Sequence, residues 1–341
     1  MKYPRAEHQR PLPHTCERPV YNPYSPKRTL NPNWKWKNDK LVFGSKPRDL
    51  SGVVDIALTN AEGLSGLSAA IGGLIIVYEN GHVQYASTFR VGPQKWLTAD
   101  HNTHPEEVSG SMIEHLYVTT ELELPFQQQR GIDDILQELG TFYACTKIAL
   151  PHRAQQDVDP RSGLAWHVEN DFCFLHVPDD TSTIYMFPTG VELKEKDAVG
   201  VFGYHMPINQ TYIVDAFGKD EFTVTKICDI FNGFNRKSLS PGQLLAPLTR
   251  ENCFDLQLIN HSCSSLPGSS GSVCGMLASP GYFIGVHIGS WSKPSVAENN
   301  YNLMLSIHHA EFADAYFNVV YPFLSDVDKL RVQSYKDRHT K

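Results

Sequence analysis

The sequence predicts a mostly β fold, with one short helix near the middle of the chain and one near its C-terminus. From about residue 60, short apolar or alternating runs are separated by Gly, Pro and Asn-Gly, a pattern typical of strands and turns. Helical spacing of apolar residues is clear in two stretches, "GIDDILQELG" and a run from Phe312 to Val320 that ends at Pro322. These observations favour β-sheets with few helices.

The clearest strand pair is the hairpin "GGLIIVYENGHVQYASTF". It has predicted strands 73–78 and 82–89 and a turn at Asn80-Gly81, where both residues tolerate positive φ. Further predicted strands are 114–119, 141–149, 172–177, 183–187, 198–203, 211–215, 222–227, 254–259, 272–277, 282–288 and 301–307. One small sheet does not hold this many strands.

Composition limits the class of protein. With 341 residues, 41% hydrophobic and 20% charged, the chain can bury one large core or two modest ones. No apolar run reaches the roughly 18 residues of a membrane span, and "MKYPRAEHQRPLP" lacks the apolar stretch of a signal peptide, so we expect a cytoplasmic protein. Seven cysteines, without a Cys-x-x-Cys pair, indicate reduced thiols rather than disulfides or a structural zinc site.

The N-terminal region differs from the rest of the chain. Residues 1–50 hold 11 Lys and Arg against 4 Asp and Glu, together with eight prolines. Within "KRTLNPNWKWKNDK", Trp34 and Trp36 alternate with basic residues, as in surfaces that bind single-stranded RNA by stacking. A Pro-rich arm that wraps the body or stays loose is the alternative that we favour. We therefore delimit residues 1–55 as an N-terminal extension.

A serine between glycines marks the candidate nucleophile. In Gly268-Ser269-Ser270-Gly271, the glycines let a substrate carbonyl approach the backbone. Such a turn can aim the amides of Gly268 and Ser270 at one point, which is what an oxyanion hole requires.

Two upstream segments supply the partners that a serine nucleophile needs. In "WLTADHNT", a strand-like run leads into His101, whose neutral imidazole can take a hydroxyl proton near pH 7. In "ENDFCFLHV", Asp171 stands at the start of an apolar strand, where a buried carboxylate can orient that histidine.

These segments together resemble a known family. Thr-Ala-Asp-His, Asn-Asp-Phe-Cys-Phe-Leu and Gly-Ser-Ser-Gly-Ser, in that order, resemble the signature blocks of chymotrypsin-like serine proteases. The later Gly285-Val286-His287 is similar to the Gly-x-His strand of the viral 3C-like branch, which includes members with a serine nucleophile. The resemblance covers roughly residues 60–310.

The resemblance implies two antiparallel six-stranded β-barrels with the active site between them. It makes Ser270 the nucleophile, His101 the general base and acid, and Asp171 the orienting carboxylate, with an oxyanion hole at Gly268, Ser269 and Ser270. The domains expected are a first barrel at 56–185, a second at 186–307 and a C-terminal helix and tail at 308–341. Ser269 stands where trypsin-like enzymes have a buried aspartate, so we expect no trypsin-style maturation.

Three alternatives stay open at this point. Seventy residues separate His101 from Asp171, longer than is usual for the family, which leaves Asp157 and Asp159 as candidates for the carboxylate. Cys274 in "SVCG" is a second nucleophile candidate, although no glycine stands two positions before it. His104, with Glu106 and Glu107, has poor metal-site spacing and is interpreted as a loop histidine; no metal or cofactor is expected.

The specificity pocket is predicted from strand alternation. Val286 and Ile288 share one face of their strand, so His287 points to the other, toward the side chain that precedes the scissile bond (P1). Ser265 occupies the position where the viral branch supplies a hydroxyl. Because no acidic residue lies between Cys263 and Ser270, we expect cleavage after Glu or Gln, a choice that depends on the protonation of His287.

The sequence thus predicts a serine endopeptidase that acts on peptides or proteins, and the resemblance to the viral 3C-like branch implies that it processes a viral polyprotein in the host cytoplasm. A cellular trypsin-like protease and a catalytically silent, protease-shaped binding or scaffold module are the alternatives.

Overall fold

The computed structural model describes residues 33–43, 50–105, 110–126, 131–150, 171–211, 213, 222–245, 258–291 and 301–340. The strands are β1 (Trp34–Lys37), β2 (Lys40–Val42), β3 (Ile71–Tyr78), β4 (Val83–Gly92), β5 (Lys95–Thr98), β6 (Ile113–Thr119), β7 (Tyr143–Ala144), β8 (Thr146–Lys147), β9 (Cys173–His176), β10 (Phe187–Pro188), β11 (Ala198–Tyr204), β12 (Lys237–Gln243), β13 (Leu258–His261), β14 (Val273–Met276), β15 (Tyr282–Trp291) and β16 (Tyr301–Ser306). The helices are α1 (Ser51–Thr59), α2 (Ala61–Ser65), α3 (Ile132–Glu138), α4 (Val224–Ile230), α5 (Ala310–Val319), α6 (Asp326–Arg331) and α7 (Gln333–His339), with 3₁₀ turns at Gly66–Ala70, Asp100–Thr103 and Tyr321–Phe323.

The first sheet closes on itself. Its strand order is β7-β6-β3-β4-β5-β9-β8, and the two edge strands follow each other in the chain, separated by Cys145 alone. One short segment therefore pairs with β6 on one side and with β9 on the other. The result is a barrel in which β7 and β8 together fill the sixth strand position.

The second sheet has the order β13-β16-β15-β14-β11-β12-β1-β2, and β10 pairs in parallel with β15. A bridge between Leu244 and His261 joins the end of β12 to β13. The amide of Ser262 also donates to the carbonyl of Gln243 at 2.9 Å. Six strands therefore close a second barrel, and the prediction of a mostly β fold with two antiparallel barrels is confirmed.

Helix α5 joins the two barrels. Its Phe312 ring lies 5.0 Å from Phe172 and 6.0 Å from Phe174 of the first barrel, and 6.3 Å from Phe283 of the second. This aromatic cluster packs behind Asp171, which precedes Phe172 in the chain, and so fixes the first barrel against the second near the candidate site. Within the described residues, every helix is too short or too polar to cross a membrane.

Part of the N-terminal region packs on the second sheet. The hairpin of β1 and β2 adds to β12 of the second sheet, and Trp34 and Trp36 are only 1% and 4% exposed. The indole of Trp36 donates to the carbonyl of Ser65 at 3.1 Å. Because both rings are buried, they cannot stack on nucleic-acid bases as the basic pattern suggested. Residues 1–32 lie outside the described residues.

Several local predictions were wrong. Helices α1 and α2 were not predicted. Residues 222–227 were predicted as a strand, but α4 begins at Val224. Apolar residues at Val224, Ile227 and Phe231 share one helical face, and the Thr223 hydroxyl caps the helix by accepting from the amide of Lys226. Strand β12 was missed because "KSLSPGQ" contains Pro-Gly, a turn signal. Most of predicted strand 211–215 and residues 254–257 lie outside the described residues.

Candidate active site

Strand pairing brings His101 and Asp171 together across seventy residues of chain. Strands β5 and β9 are antiparallel neighbours with Thr98 opposite Cys173, so the 3₁₀ turn after β5 lies beside the residues that precede β9. The Nδ1 of His101 lies 2.7 Å from Oδ2 of Asp171, and the His101 amide donates to Oδ1 at 2.9 Å. The carboxylate therefore holds both the ring and the backbone of His101.

The burial of this pair suits a base and its orienting group. The Asp171 side chain is fully buried, whereas the His101 side chain keeps 13% of its surface exposed. With Nδ1 donating to the carboxylate, Nε2 is the ring nitrogen that can accept a proton. Asp157 and Asp159, the other candidates for the carboxylate, lie outside the described residues.

Glycine is required at both ends of the candidate nucleophile turn. Gly268 and Gly271 have φ of +86° and +83°, values that other residues rarely adopt. A Cβ on Gly271 would overlap the carbonyl oxygen of Ser87 and the hydroxyl of Thr98. The turn can therefore lie this close to β4 only because Gly271 has no side chain.

Two amides of the turn, those of Ser269 and Gly271, donate to main-chain carbonyls. The amide of Ser269 donates to the Leu266 carbonyl at 3.2 Å, and that of Gly271 donates to the His287 carbonyl at 2.8 Å. The Ser269 hydroxyl also donates to the Leu266 carbonyl, at 2.8 Å. Ser269 is buried, and its amide and hydroxyl both bond within the turn. The amides of Gly268 and Ser270, which flank it, stay the predicted oxyanion-hole donors.

The first barrel supplies contacts to the turn that sequence reasoning missed. The carbonyl of Ser270 accepts from Nδ2 of Asn102 at 3.1 Å and from the amide of Ser87 at 2.9 Å. The Ser87 hydroxyl donates to the Gly268 carbonyl and accepts from the Tyr204 amide, both at 2.9 Å. Asn102 follows the candidate base directly, and its burial is the feature that marks it.

His287 links the turn to the interior of the second barrel. Its amide donates to the Ser272 carbonyl at 2.8 Å, and its carbonyl accepts from Gly271. The ring nitrogens Nδ1 of His287 and Nε2 of His261 share a hydrogen bond of 3.2 Å. Val286 and Ile288 share one apolar cluster, as alternation predicted, and His287 between them is buried rather than exposed in a cleft.

Two neutral histidines, His205 and His261, lie beside His287. Burial, helped by the neighbouring His287, lowers the pKa of His205 to about 3 and holds that of His261 well below its usual value. The Nδ1 of His205 accepts from the Leu266 amide at 3.3 Å, so its Nε2 carries the hydrogen. Ser265 is also buried, and its hydroxyl has no hydrogen-bond partner among the described residues. Sequence reasoning missed His205 and His261, which carry no motif.

The other candidate residues, Cys274 and His104, belong neither to the His101–Asp171 pair nor to the candidate nucleophile turn. Cys274 is buried on β14, four residues after Ser270 and outside the turn. His104 pairs with Asp100 at 3.1 Å, and Lys147 contacts the same carboxylate at 2.7 Å. Burial alone would raise the pKa of Asp100, but these partners lower it below its usual value. Glu106 and Glu107 lie outside the described residues.

Comparison with known proteins adds a weak structural similarity. No known protein family and no curated protein matches the chain in sequence. A Glu endopeptidase in complex with MPD is 13% identical, with 72% of this chain and 88% of that chain covered and a TM-score of 0.45. The thermostable serine protease AL20 from an extremophilic microorganism is 12% identical (75% and 97% covered, TM-score 0.45), and the active form of the Rv3671c protease from M. tuberculosis is 13% identical (83% and 92% covered, TM-score 0.43). At these scores the similarity carries no argument about activity.

Proposed function

We propose that this protein is a serine endopeptidase that works through an acyl-enzyme. The observation that carries the proposal is that both carboxylate oxygens of Asp171 bond to His101. The next residue in the chain, Asn102, bonds to the glycine-flanked turn that contains Ser270. A buried carboxylate that fixes one imidazole tautomer has a direct use when the ring must shuttle a proton.

In this mechanism, the Ser270 hydroxyl attacks the scissile carbonyl while Nε2 of His101 takes its proton. The negative charge that develops on the carbonyl oxygen lies against the amides of Gly268 and Ser270. His101 then protonates the departing amine, and water, activated by the same ring, releases the acyl group from Ser270. Asp171 stabilises the imidazolium in both halves of the reaction.

A fluorophosphonate probe tests this proposal because it labels an activated serine independently of the peptide substrate. We expect one label on Ser270 of the wild-type protein and none on Ser270→Ala. Cys274→Ala is the matched control and is expected to label normally. Absence of labelling in the folded wild-type protein would instead favour the silent binding or scaffold module.

The proposed specificity is cleavage after Glu or Gln, with His287 and Ser265 as the recognition groups. Buried groups that hydrogen-bond a substrate reject an analogue that lacks the matching atom by up to about 10⁴-fold. His261 is neutral and hydrogen-bonded to His287, which supports a donor role for the outer nitrogen of the His287 ring. A carboxylate favours protonated His287, whereas a carboxamide accepts a hydrogen bond from the neutral ring.

Cleavage of a peptide library tests this specificity. We expect cleavage after Glu and Gln and a loss of this preference in His287→Ala. Preferred cleavage after Lys, Arg, Phe or Leu would contradict the pocket and leave the nucleophile proposal intact. Processing of a viral polyprotein rests on the Gly-Val-His resemblance; a broad profile across many P1 residues would favour the cellular alternative.

A further inference from the structure

Three potential metal ligands meet inside the second barrel. One ring nitrogen each of His261 and His287 and the sulfur of Cys274 all lie within 4.8 Å of one another. They come from three strands, β13, β14 and β15, and all three side chains are buried. Within the described ranges, no other group of three His, Cys, Asp or Glu side chains meets in this way.

Strand register accounts for the convergence. Cys274 lies opposite Gly285, two residues from His287 on the same strand, so the two side chains are diagonal neighbours. Strand β16 separates β13 from β15 in the sheet, but the closed barrel turns His261 toward the same interior. The two rings already lie 3.2 Å apart between Nε2 of His261 and Nδ1 of His287.

These distances suit a tetrahedral ion. Zn²⁺ binds imidazole nitrogen at about 2.0–2.1 Å and thiolate sulfur at about 2.3 Å, so its ligand atoms lie about 3.3–3.6 Å apart. The distance between the two ring nitrogens, 3.2 Å, is already close to this range. The sulfur, within 4.8 Å of both nitrogens, needs to approach by about 1.2 Å at most, which a rotation of the Cys274 side chain and a small shift of β14 can supply.

We propose that His261, Cys274 and His287 form a binding site for Zn²⁺ or a similar borderline-soft divalent cation. Two nitrogens and one thiolate are a donor set typical of zinc, and three protein ligands leave a fourth position for water. This site was not expected from the sequence, because its ligands are 13 residues apart at each step and follow no metal-binding motif.

The protonation states balance on binding. The Cys274 thiol loses its proton to solvent, and each ring binds through the lone pair of one nitrogen. The hydrogen that the two rings share moves to the outer nitrogen of the ring that carried it. Burial keeps the pKa of His261 well below its usual value, so that ring is already in the neutral form that binds metals.

A cation here would also act on the candidate nucleophile turn, because the backbone of His287 bonds both Gly271 and Ser272. It would fix three barrel strands behind that turn. This consequence rests on the proposed function, whereas binding of the ion does not. Because the ligands are buried, the barrel must open locally to admit the ion, and binding should be slow.

The test is incubation of the native protein with CoCl₂ or ZnCl₂, followed by removal of unbound metal. We expect one ion per chain, a cobalt–thiolate charge-transfer band in the near ultraviolet and the release of one thiol proton. At a free Zn²⁺ concentration about 100-fold above Kd, the unfolding midpoint should rise by about 5 °C.

Matched variants locate the site. Cys274→Ser and His261→Gln should lose the band and the rise in midpoint, while Cys228→Ser, which removes a half-buried thiol on α4, should keep both. Wild-type protein that shows no band after long incubation, or a band that survives in Cys274→Ser, would overturn the site. Fluorophosphonate labelling of the same samples reports on Ser270 separately, so failure of the metal site and failure of the protease proposal are distinguishable.

Discussion

The side-chain amide of Asn102 donates a hydrogen bond to the main-chain carbonyl of Ser270, with 3.1 Å between Nδ2 and the oxygen. Asn102 belongs to the first barrel and follows the candidate base, whereas Ser270 belongs to the second barrel and is the candidate nucleophile. The same Nδ2 donates to the hydroxyl of Thr98 at 3.0 Å. A single side chain thus ties the two halves of the candidate site together, and catalysis that needs sub-ångström alignment should depend on it.

Replacing Asn102 by Ala should lower kcat about 10-fold and leave KM nearly unchanged, because the variant loosens the serine without removing a substrate contact. The figure corresponds to loss of the hydrogen bond to the Ser270 carbonyl, about 1–1.5 kcal/mol; the amide of Ser87 still bonds that carbonyl. Asn102→Asp keeps the size but replaces the donor by a charge, and should be slower still. Steady-state kinetics on a Glu or Gln peptide measure both.

Thr103→Ala is the control for Asn102. Its hydroxyl bonds the carbonyl of Asp100 within the same 3₁₀ turn, so the substitution perturbs the turn without touching the nucleophile. Equal losses of kcat in Asn102→Ala and Thr103→Ala would mean that the hydrogen bond to Ser270 has no specific role.

Asp171→Asn should preserve the fold and lower kcat about 10⁴-fold. An amide is isosteric with the carboxylate, but it favours the wrong imidazole tautomer and does not stabilise the imidazolium. Circular dichroism checks the fold and burst kinetics check acylation. Asp100→Asn is the matched control, since Asp100 is also a paired carboxylate beside His101 but bonds His104 and Lys147 instead. If Asp100→Asn proved the more damaging change, the assignment of the orienting carboxylate would fail.

The sequence predicted those parts of the candidate site that local chemistry determines. Gly268 and Gly271 predict a turn whose backbone a substrate can approach, and Asp171 at the start of an apolar strand predicts a buried carboxylate. The seventy-residue separation from His101 is resolved by the pairing of β5 with β9, which periodicity identifies as strands but not as neighbours. The catalytic roles of His101, Asp171 and Ser270 stay predictions.

Contacts between the barrels could not be predicted in this way. Ser87 lies in a correctly predicted strand, yet its bonds to Gly268 and Tyr204 exist only once both barrels pack. Gly203 belongs to the same junction, since a Cβ there would overlap the side chain of Ser272. The burial of Trp36 is similar, because its sequence neighbours are basic and its aromatic partner, Phe202 at 6.1 Å, lies far along the chain on β11. Such features depend on tertiary packing, which overrides local patterns.

Gly271→Ala should destabilise the protein far more than Gly81→Ala. Both glycines have positive φ, +83° and +79°, so both variants bear the backbone strain of about 1–2 kcal/mol. Only at Gly271 would the new methyl group also overlap main-chain and side-chain atoms of the first barrel; around Gly81 nothing lies within 4 Å. We expect a loss of at least about 3 kcal/mol for Gly271→Ala. Urea unfolding measures the difference, and equal losses would show that the barrels can separate locally without cost.

Acid should destabilise the fold through His308. Its imidazole is buried, and burial together with the charges of His339 and Arg338 lowers its pKa to about 3. In the unfolded chain a histidine titrates near 6.5, so between pH 6.5 and about 3 only the unfolded state takes up the proton. The contribution of His308 to stability is therefore complete above pH 6.5 and falls by about 1.4 kcal/mol for each unit that the pH drops below it.

Urea unfolding of His308→Gln at several pH values between 4.5 and 7 should show a dependence of the unfolding free energy on pH that is smaller by about this amount per pH unit. His82→Gln, which removes an exposed imidazole, is the control, and identical slopes in the two variants would contradict the assignment of the acid sensitivity to His308.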